Sequence, residues 1–511
     1  MDRLSVLLAT EGTYPCHKGG VSTWCHVLTQ NLTEIDFKVL AVVANPYLPQ
    51  RYDLSDNVRE VIKIPLWGTE DPAEYTCRLP FSQAIKSKLA TTEEVIRSRF
   101  LPLLQDFLAA VLFADADIEK LGHTVVAIHR YFLRYDYHRT WRSPGVWQVF
   151  KQVILAPWQQ DHSTTDITSS ELSDILRLLY RLLLPIQHPV PKADIMHSSA
   201  AAFCGLPCII AKIEDNRPYL LTEHGINIRE QYLNLNRSDF SGFAKLFLYR
   251  LMGTIVKLNF FFADQVSPVC EFNARWERWW GVKPENITVI YNGADPEKFH
   301  PSPAQAKDHP VVMNMGLIFP LKGQLDLIEA AATVRDRIPN VEFRFYGRPS
   351  DEDYFAECQR RVQQHRLEPN INWAGFTSEP WRAYSDADVV AMSSISEGFP
   401  FAVIEAMLSG ATIVSTDVGG VREAIADTGL LVRSSRPEEM AAAILRLLEM
   451  PETERSQYGQ KALERSRRLF SQQTLLDAHR AIYYQLIQDR QQPDDAGFAK
   501  ALLALTGAGV S

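Results

Sequence analysis

The stretch AMSSISEGFPFAVIEAMLSGATIVSTDVGG, residues 391–420, constrains the fold more than any other part of the chain. The apolar run 387–392 has the length of a buried strand. The loop behind it ends in Glu397 and Gly398, and Pro400 suits the first helical position, where its missing N–H would be unsatisfied in any case. A helix is predicted over 401–409, closed by Gly410, and a second strand over 411–415 leads into Gly419 and Gly420. Strand, short loop, helix and strand make the right-handed crossover of a parallel sheet. Such a unit leaves the amides of Phe401 and Ala402, with the helix dipole behind them, beyond the carboxyl end of the sheet, where an anion such as a phosphate is attracted. Glu397 and Glu405 flank that position from different elements, one placed to reach a sugar beyond the phosphate, the other to reach back towards a nucleoside.

A glutamate, seven residues and a second glutamate, set in EGFP…IEAM and followed by D-V-G-G, resemble the donor-site signature of the retaining glycosyltransferases of family 4, which have the two-domain GT-B fold. The resemblance implies that Glu397 sits at the donor sugar and Glu405 holds the nucleotide ribose, with Gly398, Phe399, Phe401 and Ala402 around the donor. LTEHGINIRE, YGRPSDEDYFAEC and SSISEGFPF, with EGTYP…GGVS near the start, are similar to segments of the PelF-type glycosyltransferases of Pel exopolysaccharide synthesis.

At 511 residues the chain is too long for one ordinary domain. Its apolar share of 46% and charged share of 22% are those of a globular protein. A net charge of -8 leaves no basic excess to neutralise nucleic-acid phosphates. The start, MDRLSVLLATEG, has too short an apolar run for a secretory signal and reads as a buried strand. The longest apolar candidate, 243–262, is interrupted by Lys245, Arg250 and Lys257, so a core-packed helix with snorkelling cations is expected rather than a membrane span. Seven scattered cysteines suggest reduced thiols, with Cys204 and Cys208 as core residues rather than metal ligands.

In chain order, a strand over 4–9 leads to Gly19 and Gly20, which open an apolar helix through Trp24; in the resemblance this glycine loop lies against donor phosphate and acceptor. Strands follow at 37–43 and 58–64, then a mostly helical insertion over about 67–191, with periodicity at 95–113 and 172–184 and a capping box between Thr168 and Glu171. Its aromatics, Tyr131, Tyr135, Trp141 and Trp147 among them, are expected in the core. His197 and His224 each end an apolar strand, where ligands meet open parallel sheets. For His197 the structural and binding readings stay open; His224 reads as a binding residue and in the resemblance faces donor sugar and phosphate, with Arg229 a further candidate. A strand is expected at 287–290 and a linker at 301–310.

Beyond it, VVMNMGLIFPLKG is a strand and loop carrying Lys322, a compact cation suited to a diphosphate. In family 4 this loop reads Gly-Arg-x-x-x-x-Lys-Gly; Gly316, Lys322 and Gly323 match, but Leu317 stands where the arginine belongs. Arg348, on the loop after the next strand (341–346), is a candidate to supply that charge, and the end of strand 371–376 is expected near the base. Helices at 440–448 and 475–487 are expected to end the fold, the last returning to the first domain, with a frayed tail after 492.

The expected fold is α/β and GT-B, with two doubly wound, Rossmann-like domains, 1–300 and 301–474, facing across a cleft, and 475–511 returning to the first. The resemblance implies a cytoplasmic retaining glycosyltransferase using a nucleotide-sugar, UDP-glucose as first choice, and a glycan or lipid-linked acceptor. It also implies no metal or other cofactor, and as partner a polysaccharide synthase complex at the inner membrane surface. A non-catalytic nucleotide-sugar-binding scaffold and a GT-B epimerase or phosphorylase are the alternatives.

Overall fold

The computed structural model describes residues 3–69, 80–113, 116–159, 167–303 and 307–491, so the tail after 492 and residues 304–306 of the expected linker lie outside the described residues. Its internal contacts divide the chain into two units. Of the described residues, 3–268, 276–288 and 480–491 belong to the first, while 269–275 and 289–479 belong to the second.

The first unit is built on six parallel strands: β1 (Ser5–Glu11), β2 (Asp36–Val43), β3 (Val58–Pro65), β4 (Ile195–Ser198), β5 (Tyr219–Glu223) and β6 (Gln265–Pro268), in the order β3-β2-β1-β4-β5-β6. The second has β7 (Val311–Met315), β8 (Glu342–Tyr346), β9 (Ile371–Gly375), β10 (Val389–Met392), β11 (Ile413–Thr416) and β12 (Leu430–Val432), in the order β12-β11-β10-β7-β8-β9. Both chains of strands start in mid-sheet, run to one edge, return to the middle and run to the other. Each sheet therefore has a point, between β1 and β4 and between β7 and β10, where the loops at the carboxyl ends diverge and open a crevice. The central strands are covered on both faces, which is why they read as unbroken apolar runs: Val6 to Ala9 and Val389 to Ala391 are all fully buried.

Between β3 and β4 the chain is helical, including Leu101–Leu112, Ile118–Phe132 and Ser169–Leu182. The capping box forms: the Glu171 N–H donates to the Thr168 hydroxyl and the Thr168 N–H to the Glu171 carboxylate. Tyr131 and Trp141 are buried, Tyr135 and Trp147 half-buried. The six cysteines among the described residues, Cys204 and Cys208 included, are buried thiols. The apolar helix Gly242–Phe262 buries Phe247, Leu251, Ile255 and Leu258, and no described helix is long and apolar enough to cross a membrane.

Three expectations need correction. Residues 287–290 form no strand beyond a single bridge from Ile287 to Val266. Side chains of β6 take the carbonyls a strand would have paired: Gln265 Nε2 donates to Asn286 O at 2.8 Å and Ser267 Oγ to Thr288 O at 3.0 Å. Pro400 lies one residue ahead of the helix Phe401–Leu408, as its cap, with an extended ψ of 126°. The described chain ends in three helices rather than two, Pro437–Leu448, Glu452–Leu469 and Gln472–Gln491. Sequence periodicity passed over the middle one because it buries small residues, Gly459, Ala462 and Ser466, with Leu463. Its backbone can therefore come close: a Cβ on Gly459 would stand 2.0 Å from the Gly410 carbonyl oxygen.

Alanine at a helix-interior glycine ordinarily adds about 1 kcal/mol of stability, whereas overpacking a tight contact costs about 1–3 kcal/mol. Gly459→Ala is accordingly expected to lower the thermal unfolding midpoint, and a rise would show that the helix tolerates separation from residue 410.

Candidate functional site

In the second unit the loops after β7 and β10, on either side of the switch point, are stitched together. The Ile395 N–H donates to Leu321 O at 2.8 Å, and Ser393 Oγ to Lys322 O at 3.0 Å. Gly323 has φ +63°, and a Cβ there would lie 2.2 Å from Ser393 O, so the approach requires glycine. The stitching sets Lys322 Nζ 2.5 Å from Glu397 Oε1, while Ser394 Oγ donates to the same oxygen at 2.6 Å. Thr416, at the end of β11, donates to Ser394 O at 2.6 Å and anchors the loop from below.

The D-V-G-G segment completes this frame. The Gly420 N–H donates to Gly398 O at 2.7 Å, and a Cβ on Gly419, φ +57°, would lie 2.0 Å from Glu397 O. The glycine pair thus holds the backbone of Glu397 and Gly398 at a distance no side chain would permit. Lys322, Ser394, Glu397 and Ala402 line one small cavity with Asn314 and Ser415. The helix Phe401–Leu408 opens towards it, and the Val403 amide bonds back to Pro400 O at 3.2 Å. Phe399 is turned away: it is 2% exposed and its ring packs on Tyr291 and Phe470.

Glu405 does not line that cavity. Its carboxylate accepts from Tyr384 Oη at 3.3 Å, and burial pushes its pKa up to about 7, against the lowering effect of that bond and of Lys298. The residue as a whole is half-buried.

Leu317 is 45% exposed. The parallel register of β7 with β8 pairs Met315 with Tyr346, and a further bridge pairs Ile318 with Pro349, so Leu317 and Arg348 are cross-strand neighbours on one face. A Cβ on Gly347 would collide with Gly316 O at 1.8 Å, which shows how closely the two loops run. The Arg348 guanidinium lies 5.3 Å from the Phe376 ring, at the end of β9.

In the first unit Gly19 precedes the helix Gly20–Asn31 in an extended conformation, and a Cβ on it would meet nothing within 4 Å. Trp24 on that helix packs edge-on against His224, at 4.6 Å between ring centres, and against His197, at 5.3 Å. His197 is fully buried with both ring nitrogens engaged, by Tyr483 Oη at 2.7 Å and Thr222 Oγ1 at 2.8 Å, which is the structural reading of this residue. His224 is half-buried at the end of β5, and Arg229 is half-buried on the helix Asn227–Arg237.

Sequence reasoning missed two carboxylates here. Glu11, ending β1, accepts the Cys204 N–H at 3.0 Å, and Glu223, ending β5, accepts the Ala201 N–H at 2.6 Å. Together they grip the loop after β4 from both sides, and burial raises them to about 6 and about 8. Their position at strand ends was the available signal. Tyr384 carried no signal, because its role depends on Glu405, 21 residues away in sequence.

The architecture matches solved glycosyltransferase structures across nearly the whole chain. Sucrose-phosphate synthase from Thermosynechococcus elongatus aligns with a TM-score of 0.58 and 18% identity over 95% of this chain and 100% of that one. Anabaena Alr3699/HepE in complex with UDP aligns at 0.56 and 16%, over 94% and 99%. Among curated proteins, D-inositol 3-phosphate glycosyltransferase of Corynebacterium glutamicum (strain R) is 32% identical over 202 residues, 36% of this chain and 48% of that protein. Trehalose synthase of Pyrococcus horikoshii is 32% identical over 172 residues, 32% and 41%. The chain thus spans less than half the length of these two curated relatives. Residues 295–465 match the model of glycosyl transferases group 1, and residues 4–285, more than half of the chain, match the domain of unknown function DUF3492. With its two parallel sheets of the GT-B kind, the chain belongs to the DUF3492 family and carries, after that domain, a domain of the glycosyl transferases group 1 family.

Proposed function

We propose that this protein is a glycosyltransferase of the retaining kind that takes a sugar from a nucleotide-sugar, UDP-glucose as first choice, and passes it to a glycan or lipid-linked acceptor in exopolysaccharide or cell-surface glycan synthesis. The observation that carries this reading is the Lys322, Ser394 and Glu397 constellation at the switch point of the second sheet, facing the start of the helix Phe401–Leu408. Lys322 and the amides of Phe401 and Ala402 meet the diphosphate, where leaving-group charge develops. Glu397 lies at the donor sugar and Glu405 accepts from ribose hydroxyls. In the first unit the open space at Gly19 admits a phosphate or acceptor, and His224, steadied by Trp24, faces the sugar. Arg348, as cross-strand neighbour of Leu317, supplies the cation that Leu317 does not.

Leu317 also favours a second reading, a non-catalytic nucleotide-sugar-binding subunit of a polysaccharide assembly. Purified protein incubated with UDP-, GDP- and ADP-sugars and glycan acceptors separates the two. Transfer supports the first reading, and binding by calorimetry without transfer supports the second.

Three outcomes test the residue roles. Glu397 holds Lys322, so Glu397→Gln is expected to leave UDP binding equal or tighter, yet to lower transfer by about 100-fold, the usual loss for one group aimed at the transition state. A parallel loss of UDP binding would remove Glu397 from the sugar. Arg348→Ala should weaken UDP binding by about tenfold, within the worth of a charge-assisted hydrogen bond, and Leu317→Arg in the same protein should restore it; full affinity in Arg348→Ala alone refutes the relocated charge.

The third concerns pH. Because the folded pKa of Glu405 lies above the ordinary carboxylate value of 4.5, its burial costs stability increasingly as pH rises from that value through about 7. Ribose hydroxyls donate to the ionised form, so UDP affinity should increase as pH rises through about 7, and Glu405→Gln should flatten the profile. A wild-type titration that is already flat contradicts the ribose role.

A further inference from the structure

At the carboxyl edge of the first sheet, where ligands meet parallel strands, the loops after the neighbouring strands β1, β2 and β3 are joined into one rim. Arg51, in the loop after β2, donates its N–H to Pro15 O, in the loop after β1, at 2.9 Å. The Trp67 N–H, after β3, donates to Ala44 O, after β2, at 2.8 Å, and Lys63 Nζ on β3 donates to Leu48 O at 2.8 Å. Gly68 has φ +79°, and a Cβ on it would lie 2.4 Å from Asn45 Cβ and 3.4 Å from Pro46 Cδ, so the approach requires glycine. The residues next to that contact are both aromatic. Trp67 is 39% exposed and Tyr47 is 77% exposed.

Neither ring fills a core. The Arg181 guanidinium lies 5.2 Å from the centre of the Trp67 ring, and Arg181 Nη1 donates to Leu66 O at 2.8 Å, so a cation backs the indole and fixes the backbone beside it. The Tyr47 N–H donates to Asn45 Oδ1 at 3.0 Å, which fixes the turn that carries the second ring. His17, Gln50 and Arg51 are exposed on the same rim. The rings therefore stand singly among polar groups instead of forming a continuous apolar face. That arrangement suits a sugar, whose C–H bonds meet the negative face of a ring while its hydroxyls meet polar neighbours.

The rim also leads somewhere. Tyr52, from the loop after β2, lies with its hydroxyl against the Gly19 backbone and the Thr23 side chain, and a Cβ on Gly19 would meet nothing within 4 Å. Neighbouring strands stand about 4.8 Å apart, close to the length of one sugar unit in a chain. A glycan whose end lies at Gly19 thus passes over the loop after β2 and then over the loop after β3.

We propose that Tyr47 and Trp67 are outer subsites for a glycan chain long enough to cross the loops after β1, β2 and β3. This rests on the reading of the protein as a glycosyltransferase with its acceptor at the Gly19 loop, and it narrows that acceptor to an extended oligosaccharide. Binding measured without nucleotide tests it apart from transfer. The purified full chain is applied to an array of immobilised neutral and anionic oligosaccharides, each series running from disaccharide to hexasaccharide. Wild type is expected to bind at least one series with affinity that rises with length. Tyr47→Ala and Trp67→Ala should each weaken the longest member about tenfold, roughly the worth of one aromatic face, and leave the shortest bound member unchanged. Tyr47→Phe and Trp67→Phe keep a ring and should keep the affinity. Wild type that binds no series, affinity independent of length, or a length dependence that survives the double alanine variant overturns the proposal. So does a double variant that weakens short and long members alike and unfolds at a lower temperature, which would make the rings structural. Sugar transfer to acceptors with no dependence on length would leave the glycosyltransferase reading standing and refute the outer subsites. Length-dependent binding lost in the alanine variants, with no transfer from any UDP-, GDP- or ADP-sugar, would do the reverse.

Discussion

Much of the second unit depends on a cation and a carboxylate held 2.5 Å apart while partly withdrawn from water. Desolvating both charges is costly, and attraction offsets the cost only when geometry is good and remaining hydrogen-bonding positions are filled. Ser394 fills one on Glu397, and the bonds between residues 321–322 and 393–395 leave little freedom to separate. The pair is nevertheless exchangeable in kind. A diphosphate brings more negative charge to Lys322 than one carboxylate can, and its arrival would release Glu397 towards whatever the phosphate carries. The same ion pair that fixes these loops therefore leaves a cation that an anion could take over.

The two sheets share one winding but use their switch points differently. In the second, charges and hydroxyls converge. In the first, carboxylates at the ends of β1 and β5 turn inward and spend their acceptors on backbone amides of the β4 loop. Burial raises their pKa values against the lowering effect of those backbone hydrogen bonds. The exposed surface is left to Gly19 and, through Trp24, to His224.

Two helices show where pattern and environment part company. Glu452–Leu469 is mostly polar yet packs closely, because small residues let it approach the Gly410 turn. Phe81–Ala90 is amphipathic yet buries nothing. Periodicity reports that a helix has an apolar face and does not report where the rest of the molecule lies. Strands suffered less: a strand in mid-sheet is apolar on both faces, so β1 and β10 announced themselves, whereas the short β12 did not.

By itself the sequence determined a strand, loop, helix and strand around Glu397 and Glu405, because a crossover between parallel strands puts the strand-to-helix loop at the carboxyl edge. It also determined that Lys322, Gly398 and the D-V-G-G glycines belong to such loops. Tertiary structure decided which of them meet. Lys322 reaches Glu397 across 75 residues because β7 and β10 are neighbours. Arg348 shares a face with Leu317 because the β7 to β8 register happens to pair them. Phe399 was removed to the core and His197 was enclosed by partners from β5 and the last helix. Strand adjacency, register and burial are properties of the assembled sheet, set by the packing of residues far apart in the chain, and no local spacing encodes them.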